Sequence, residues 1–145
     1  MSKILLISAV SGLTLCAGFA AYAAVNAAPQ DVAVTAQCTT DATGLDGRRK
    51  ACDSEWQRVQ APAGYVLAKE TTKGGLVSAN GSETECRVQF GDAIEVIPGL
   101  PQPTNISLQA HARSPNGHAT GRGWATCKYS VRMVPLPKPD TNGWH

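Results

Sequence analysis

The sequence predicts an all-β protein: a small disulfide-stabilised antiparallel β-sandwich or barrel, with room for one short N-terminal helix. Three observations carry that expectation. From Gly64 onward, several stretches alternate apolar and polar residues with the period of a half-buried strand. The connections between them are short and rich in Gly, Pro and Asn. Four of the five cysteines lie in the body of the chain, an even number that suits structural pairing.

The chain of 145 residues opens MSKILLISAVSGLTLCAGFAAYAAVNAAPQ. Lys3 supplies a positive start, Ile4 to Phe19 an apolar run, and Ala23 and Ala27 each end a small-x-small triplet. That is the layout of a secretory signal, with cleavage expected after Ala27 and Ala23 as the alternative. Leu15 stands before Cys16 where a lipoprotein needs a small residue. Ile4 to Ala28 is long enough to span a bilayer at roughly 20 residues, but Ser8, Ser11, Gly12 and Gly18 inside the run favour cleavage over anchoring. The expected organisation is a signal over 1–27, one β-rich domain over 28–134 and an extended Pro-rich tail, PLPKPDTNGWH, over 135–145. The destination is secreted or periplasmic.

Loss of the signal leaves 118 residues, enough for one domain with its own core. Lys and Arg then number 12 against 11 acids. This near-neutral balance argues against nucleic acid as a partner, which needs a concentrated basic surface, and against electrostatic docking on anionic membranes.

Cys38, Cys52, Cys86 and Cys127 remain, separated by 13, 33 and 40 residues. Those gaps lack the close spacing of a redox pair or a zinc site, so two disulfides are expected. Of three pairings, Cys38 with Cys52 and Cys86 with Cys127 is favoured: the first closes a local loop, and the second joins two strand-like segments on their apolar sides. The segment LDGRRKACDSEWQRVQ fits helix or strand, with a strand ending at Gln60 preferred. GYVLAKE reads as a strand and TTKGG as a connection. In LVSANGSETECRVQF, Thr84, Cys86, Val88 and Phe90 share a face, and the following Gly91-Asp92 reads as a turn into AIEVIPG. NISLQAHAR turns Ile106, Leu108, Ala110 and Ala112 inward, and WATCKYSVRMV does the same with Ala125, Cys127, Tyr129, Val131 and Met133.

One stretch stands out chemically. HARSPNGHATGRGW joins the last two strands and carries His111, Arg113, His118, Arg122 and Trp124. Pro115-Asn116-Gly117 is a turn signature by itself, and a long polar turn is the plain reading. The sharper one is a ligand surface, because arginine forks and glycine-exposed N–H groups both suit anions. A metal site would lack a third ligand unless His145 joined His111 and His118, so none is expected. Trp56, Tyr65, Trp124, Tyr129 and Trp144 are more readily core or rim residues than a sugar platform. Asn80 and Asn105 each begin a glycosylation sequon.

Nucleophile and metalloprotease signatures such as GxSxG and HExxH are absent from the chain, and Glu83 and Glu85 share one strand face rather than flanking a cleft. No enzyme and no cofactor is expected. The expected function is an exported interaction domain binding a glycan, an anionic ligand or a protein of the envelope or host. The alternatives are a structural or inhibitory secreted protein working through its strand edges, and third, an unfamiliar hydrolase.

Overall fold

The computed structural model describes residues 29–117 and 121–137. The signal and its cleavage sites, Cys16, His118, and the tail from Lys138 through Trp144 and His145 lie outside them. The described residues form seven strands: β1 (Gln30–Ala42), β2 (Ala51–Asp53), β3 (Gln57–Gln60), β4 (Tyr65–Asn80), β5 (Glu83–Ile97), β6 (Leu100–Arg113) and β7 (Arg122–Pro135). There is no helix among the described residues, so the short N-terminal helix is not found there, and the strand ending at Gln60 is β3.

Every pairing is antiparallel. Sheet A has the order β1-β7-β4. In sheet B, β6 is central: β5 runs along one edge, and β2 and β3 follow one another along the other. The two sheets form an open sandwich, not a closed barrel. Where the sequence reads a turn at Gly91-Asp92, β5 runs straight through to Ile97 with unchanged register from Glu83 to Glu95. Asp92 adopts φ 51°, a left-handed conformation that Asp tolerates better than most residues. Arg58 and Asn105 both donate to its carboxylate at 3.0 Å, and Thr104 Oγ1 donates to its carbonyl at 2.7 Å. Those bonds hold locally what a chain turn would otherwise relieve. TTKGG, likewise, is no connection: β4 continues through it, with register shifts between Ala68 and Lys73 and between Leu76 and Ser78.

Both favoured disulfides are present, and both cross the sandwich. Cys38–Cys52 ties β1 to β2 with Cα atoms 6.0 Å apart, and Cys86–Cys127 ties β5 to β7 at 5.8 Å. Facing sheets ordinarily pack about 10 Å apart, so the bonds draw the layers together locally. The sequence answers with alanine. Across the ladders, Cys38 faces Ala125, Cys127 faces Ala36, Cys52 faces Ala112 and Cys86 faces Ala110. Facing residues in an antiparallel pair share a side, so each half-cystine has a one-carbon neighbour on the inner face. All four alanines are buried.

Away from the bonds the inner face carries bulk. Val34, Leu67, Ile106, Leu108 and Val131 are buried, with Val59, Val88, Phe90 and Met133 packed against them. The core is therefore thin at the disulfide end and thick at the other. No buried side-chain polar atom among the described residues lacks a partner.

Replacing Cys86 and Cys127 together by alanine should cost about 4 kcal/mol on the loop-closure account. Denaturant unfolding of oxidised wild type and the double variant measures it, and a loss below about 1 kcal/mol would show that the bond is incidental.

Candidate functional site

The five residues singled out at the β6–β7 connection are not gathered into one place. His111 and Arg113 lie on β6 between buried Ala110, Ala112 and Ser114, so their side chains stand on the outer face of sheet B. Trp124 lies on β7 between buried Gly123 and Ala125 and stands on the outer face of sheet A, 40% exposed. Arg122 is exposed at the start of the same strand. The connection passes from one sheet to the other, so the two sets stand on opposite outer faces although the β6 and β7 backbones pack closely at Arg113 and Gly123. His118 lies outside the described residues.

The base of this connection is structural. Ser114 is fully buried; its Oγ accepts from Lys50 N at 2.9 Å and lies 2.7 Å from Thr43 Oγ1, which donates to the Pro115 carbonyl at 2.8 Å. Ser82 Oγ donates to the Ser114 carbonyl at 2.9 Å. Gly123, whose N–H would suit an anion, already donates to Thr40 Oγ1 at 2.8 Å, and a Cβ there would collide with the Arg113 carbonyl. Its lack of a side chain answers to close packing of β6 on β7.

On sheet B, the outer face neutralises itself. Arg113 meets Glu83 at 3.2 Å, with Arg49 at 3.9 Å from the same carboxylate. Arg87 bridges Asp53 at 3.0 Å and Glu85 at 3.1 Å, and its Nη1 also donates to Gln109 at 3.2 Å. His111 Nδ1 lies 2.8 Å from Asp53 Oδ1. Arg58 pairs with Asp92 at 3.0 Å. The arginines are already engaged, which removes Arg113 as a free anion fork. At the margin of the core, Lys69 Nζ sits 5.4 Å from the Phe90 ring centroid in a cation–π contact.

The outer face of sheet A differs. Along central strand β7 it presents Trp124, Thr126, Lys128, Ser130 and Arg132, a row of roughly 26 Å at strand rise. Thr35 and Gln37 of β1 face Lys128 and Thr126, and Lys73 of β4 faces Ser130. Arg132 pairs with Asp31 at 3.3 Å. Lys73 and Lys128 have no ion pair among the described residues. Both line a shallow trough of about 250 Å³ with Gly74, Gly75, Leu76, Val77 and Ser130. The trough exists because β4 carries two glycines beside Lys128. At Gly74, φ is 142° and a Cβ would run into the Lys128 carbonyl, so backbone packing excludes a side chain there, whereas a Cβ at Gly75 would meet open space. Trp124 closes one end of the row, with its indole N–H donated to Ser78 Oγ at 3.1 Å.

Of this surface, sequence reasoning named Arg122 and Trp124 and missed Lys73 and Lys128. The outward position of Lys128 follows from strand alternation. Lys73 was hidden in a segment that read as a connection. No group of three metal-ligating side chains occurs among the described residues. Asn105 is buried, with its amide donated to Asp92 at 3.0 Å, so its sequon is closed to a glycan in the folded state. Comparison with protein families, with curated proteins and with solved structures found no match.

Two substitutions separate scaffold from surface. Ser114→Ala leaves the Lys50 N–H without its acceptor and Thr43 Oγ1 without its hydroxyl neighbour, and should cost about 1–3 kcal/mol in denaturant unfolding. Arg113→Ala removes only an exposed ion pair and should change stability by less than about 1 kcal/mol. The reverse order would mean that the charged face, not the buried serine, holds this end together.

Proposed function

We propose that the protein is an exported, non-enzymatic binding domain that takes an anionic glycan along the outer face of sheet A. The observation that carries the reading is the contrast between the two outer faces: sheet B spends its cations on its own carboxylates, whereas on sheet A Lys73 and Lys128 have no ion pair among the described residues and line a trough with Gly74 and Gly75. Export is supported by the signal-like opening and by two disulfides, which suit an oxidising compartment.

The chemistry follows from the arrangement. Lys128 and Lys73 supply point charges to carboxylate or sulfate groups, and Thr35, Gln37, Thr126 and Ser130 supply neutral donors and acceptors to hydroxyls. Trp124 offers a partly exposed indole at the end of the row. Each exposed charge contact is worth only about 0.2–1 kcal/mol, so useful affinity needs several in register. An extended polyanion provides that, and a small anion does not.

Polygalacturonate and dextran sulfate serve as probes, with unmodified dextran as the neutral control. The wild type should bind the charged polymers, more weakly as salt rises toward about 0.5 M because exposed charges are screened. The double variant Lys73→Glu with Lys128→Glu should lose at least about tenfold in affinity, equivalent to about 1.4 kcal/mol, with unchanged thermal unfolding. Equal binding of dextran and dextran sulfate, or an unaffected double variant, would overturn the reading.

A further inference from the structure

The two sheets have four edges, and three of them are spoiled for pairing. The β4 edge is broken by register shifts after Ala68 and after Leu76, and carries Lys69 and Lys73. The β5 edge carries the left-handed Asp92 and the charged side chains of Glu83, Glu85 and Arg87, with a register shift between Glu95 and Ile97. The β2–β3 edge consists of strands of three and four residues interrupted at Ser54–Trp56. Bulges, charges and short strands are the ordinary ways of keeping an edge from pairing.

β1 has none of these over most of its length. Its register with β7 is unbroken from Gln30 to Thr39. From Val32 to Thr40 it holds no charged residue and no proline. The strand is also firmly seated, since Val34, Ala36, Cys38 and Thr40 are buried and Cys38 is bonded to β2. Among the described residues only β7 pairs with it, so its second edge offers backbone donors and acceptors in a row. A cleft of about 340 Å³ lined by Thr35, Ala36, Gln37 and Gln57 leaves that edge open to approach.

We infer that β1 is an assembly edge, and that its partner is β1 of a second copy in an antiparallel, two-fold arrangement. Self-pairing fits the chemistry of the strand. With the axis at Thr35, Ala33 faces Gln37 of the other copy, Thr35 faces itself, and Asp31 faces Thr39. No like charges are brought together, and every facing residue is small or neutral apart from Asp31, which already holds Arg132. The axis stands perpendicular to the sheet, so the outer faces of both copies of sheet A join into one six-stranded surface with order β4-β7-β1-β1-β7-β4. Two glycan rows then lie on the same side of a dimer, although the pairing itself does not depend on the ligand reading.

Sedimentation velocity of the purified protein between about 10 µM and 1 mM should show its average mass climbing from monomer toward dimer. Thr35 is exposed and faces its own symmetry mate about 5 Å away. Thr35→Lys and Thr35→Glu alone should therefore each weaken dimerisation at least tenfold, and an equimolar mixture of the two should recover it as a heterodimer. Recovery on mixing separates repulsion at the edge from failure to fold. A wild type that stays monomeric throughout that range, or variants that dimerise alone as well as wild type, would overturn the inference.

Discussion

Two covalent bonds set the distance between the sheets, and much of the interior is arranged around that distance. Cys38–Cys52 and Cys86–Cys127 link strands of opposite sheets with Cα separations near 6 Å. Hydrophobic side chains from two facing layers do not fit into so narrow a gap. Ala36, Ala110, Ala112 and Ala125 are what fits, and each lies directly across a ladder from a half-cystine. Methyl groups bury little surface, so this end of the core gives up much of the usual hydrophobic gain of about 25 cal/mol per Å². The bonds offset that loss by restricting the unfolded chain. A small domain with few aromatics has reason to stabilise itself this way.

With the layers clamped, the outer faces are free to differ. Sheet B carries alternating charge that closes on itself through Arg87, Arg113 and their carboxylates. Such pairs add little stability when exposed, but they leave the face nearly neutral and already hydrogen-bonded. Sheet A carries small hydroxyl and amide side chains, with Lys73 and Lys128 in no ion pair among the described residues beside the glycines of β4. A face held in place by β-ladders is a surface on which an extended ligand loses little by binding, because the protein side is already organised.

Strand alternation made much of this fold legible. The inward sets Ile106–Ala112 and Ala125–Met133 are read directly from period two, and the inward position of Cys86 and Cys127 fits the favoured bond between them. β1 shows the same alternation at Val32, Val34, Ala36 and Cys38, a signal as clear as those downstream of Gly64. What local pattern did not reveal was which sheet each strand joins. Alternation fixes the face of His111 and of Trp124 but not that β6 and β7 belong to different layers, so neighbours in sequence became residents of opposite surfaces. Gly91-Asp92 misled for a related reason. Its turn chemistry is real, since Asp92 does take the left-handed conformation, yet pairing with β6 overrides the reversal. Lys73 shows the converse: a polar, glycine-containing run reads as a connection, although β7 holds it in the ladder as a bulged strand.

The central claim is that the crossing bonds, rather than the alanines by themselves, determine how close the sheets come at that end. A thermodynamic cycle between Ala110→Leu and removal of the Cys86–Cys127 bond tests it most directly, with unfolding free energy as the readout. In the bonded protein, leucine at 110 should overpack and cost about 1–3 kcal/mol. With both cysteines replaced by alanine, the layers are free to separate and the same substitution should cost under about 0.5 kcal/mol, a coupling well above the error of additive behaviour. An identical cost in both backgrounds would contradict the account, because the spacing would then be set by the rest of the sandwich and not by its sulfur bridges.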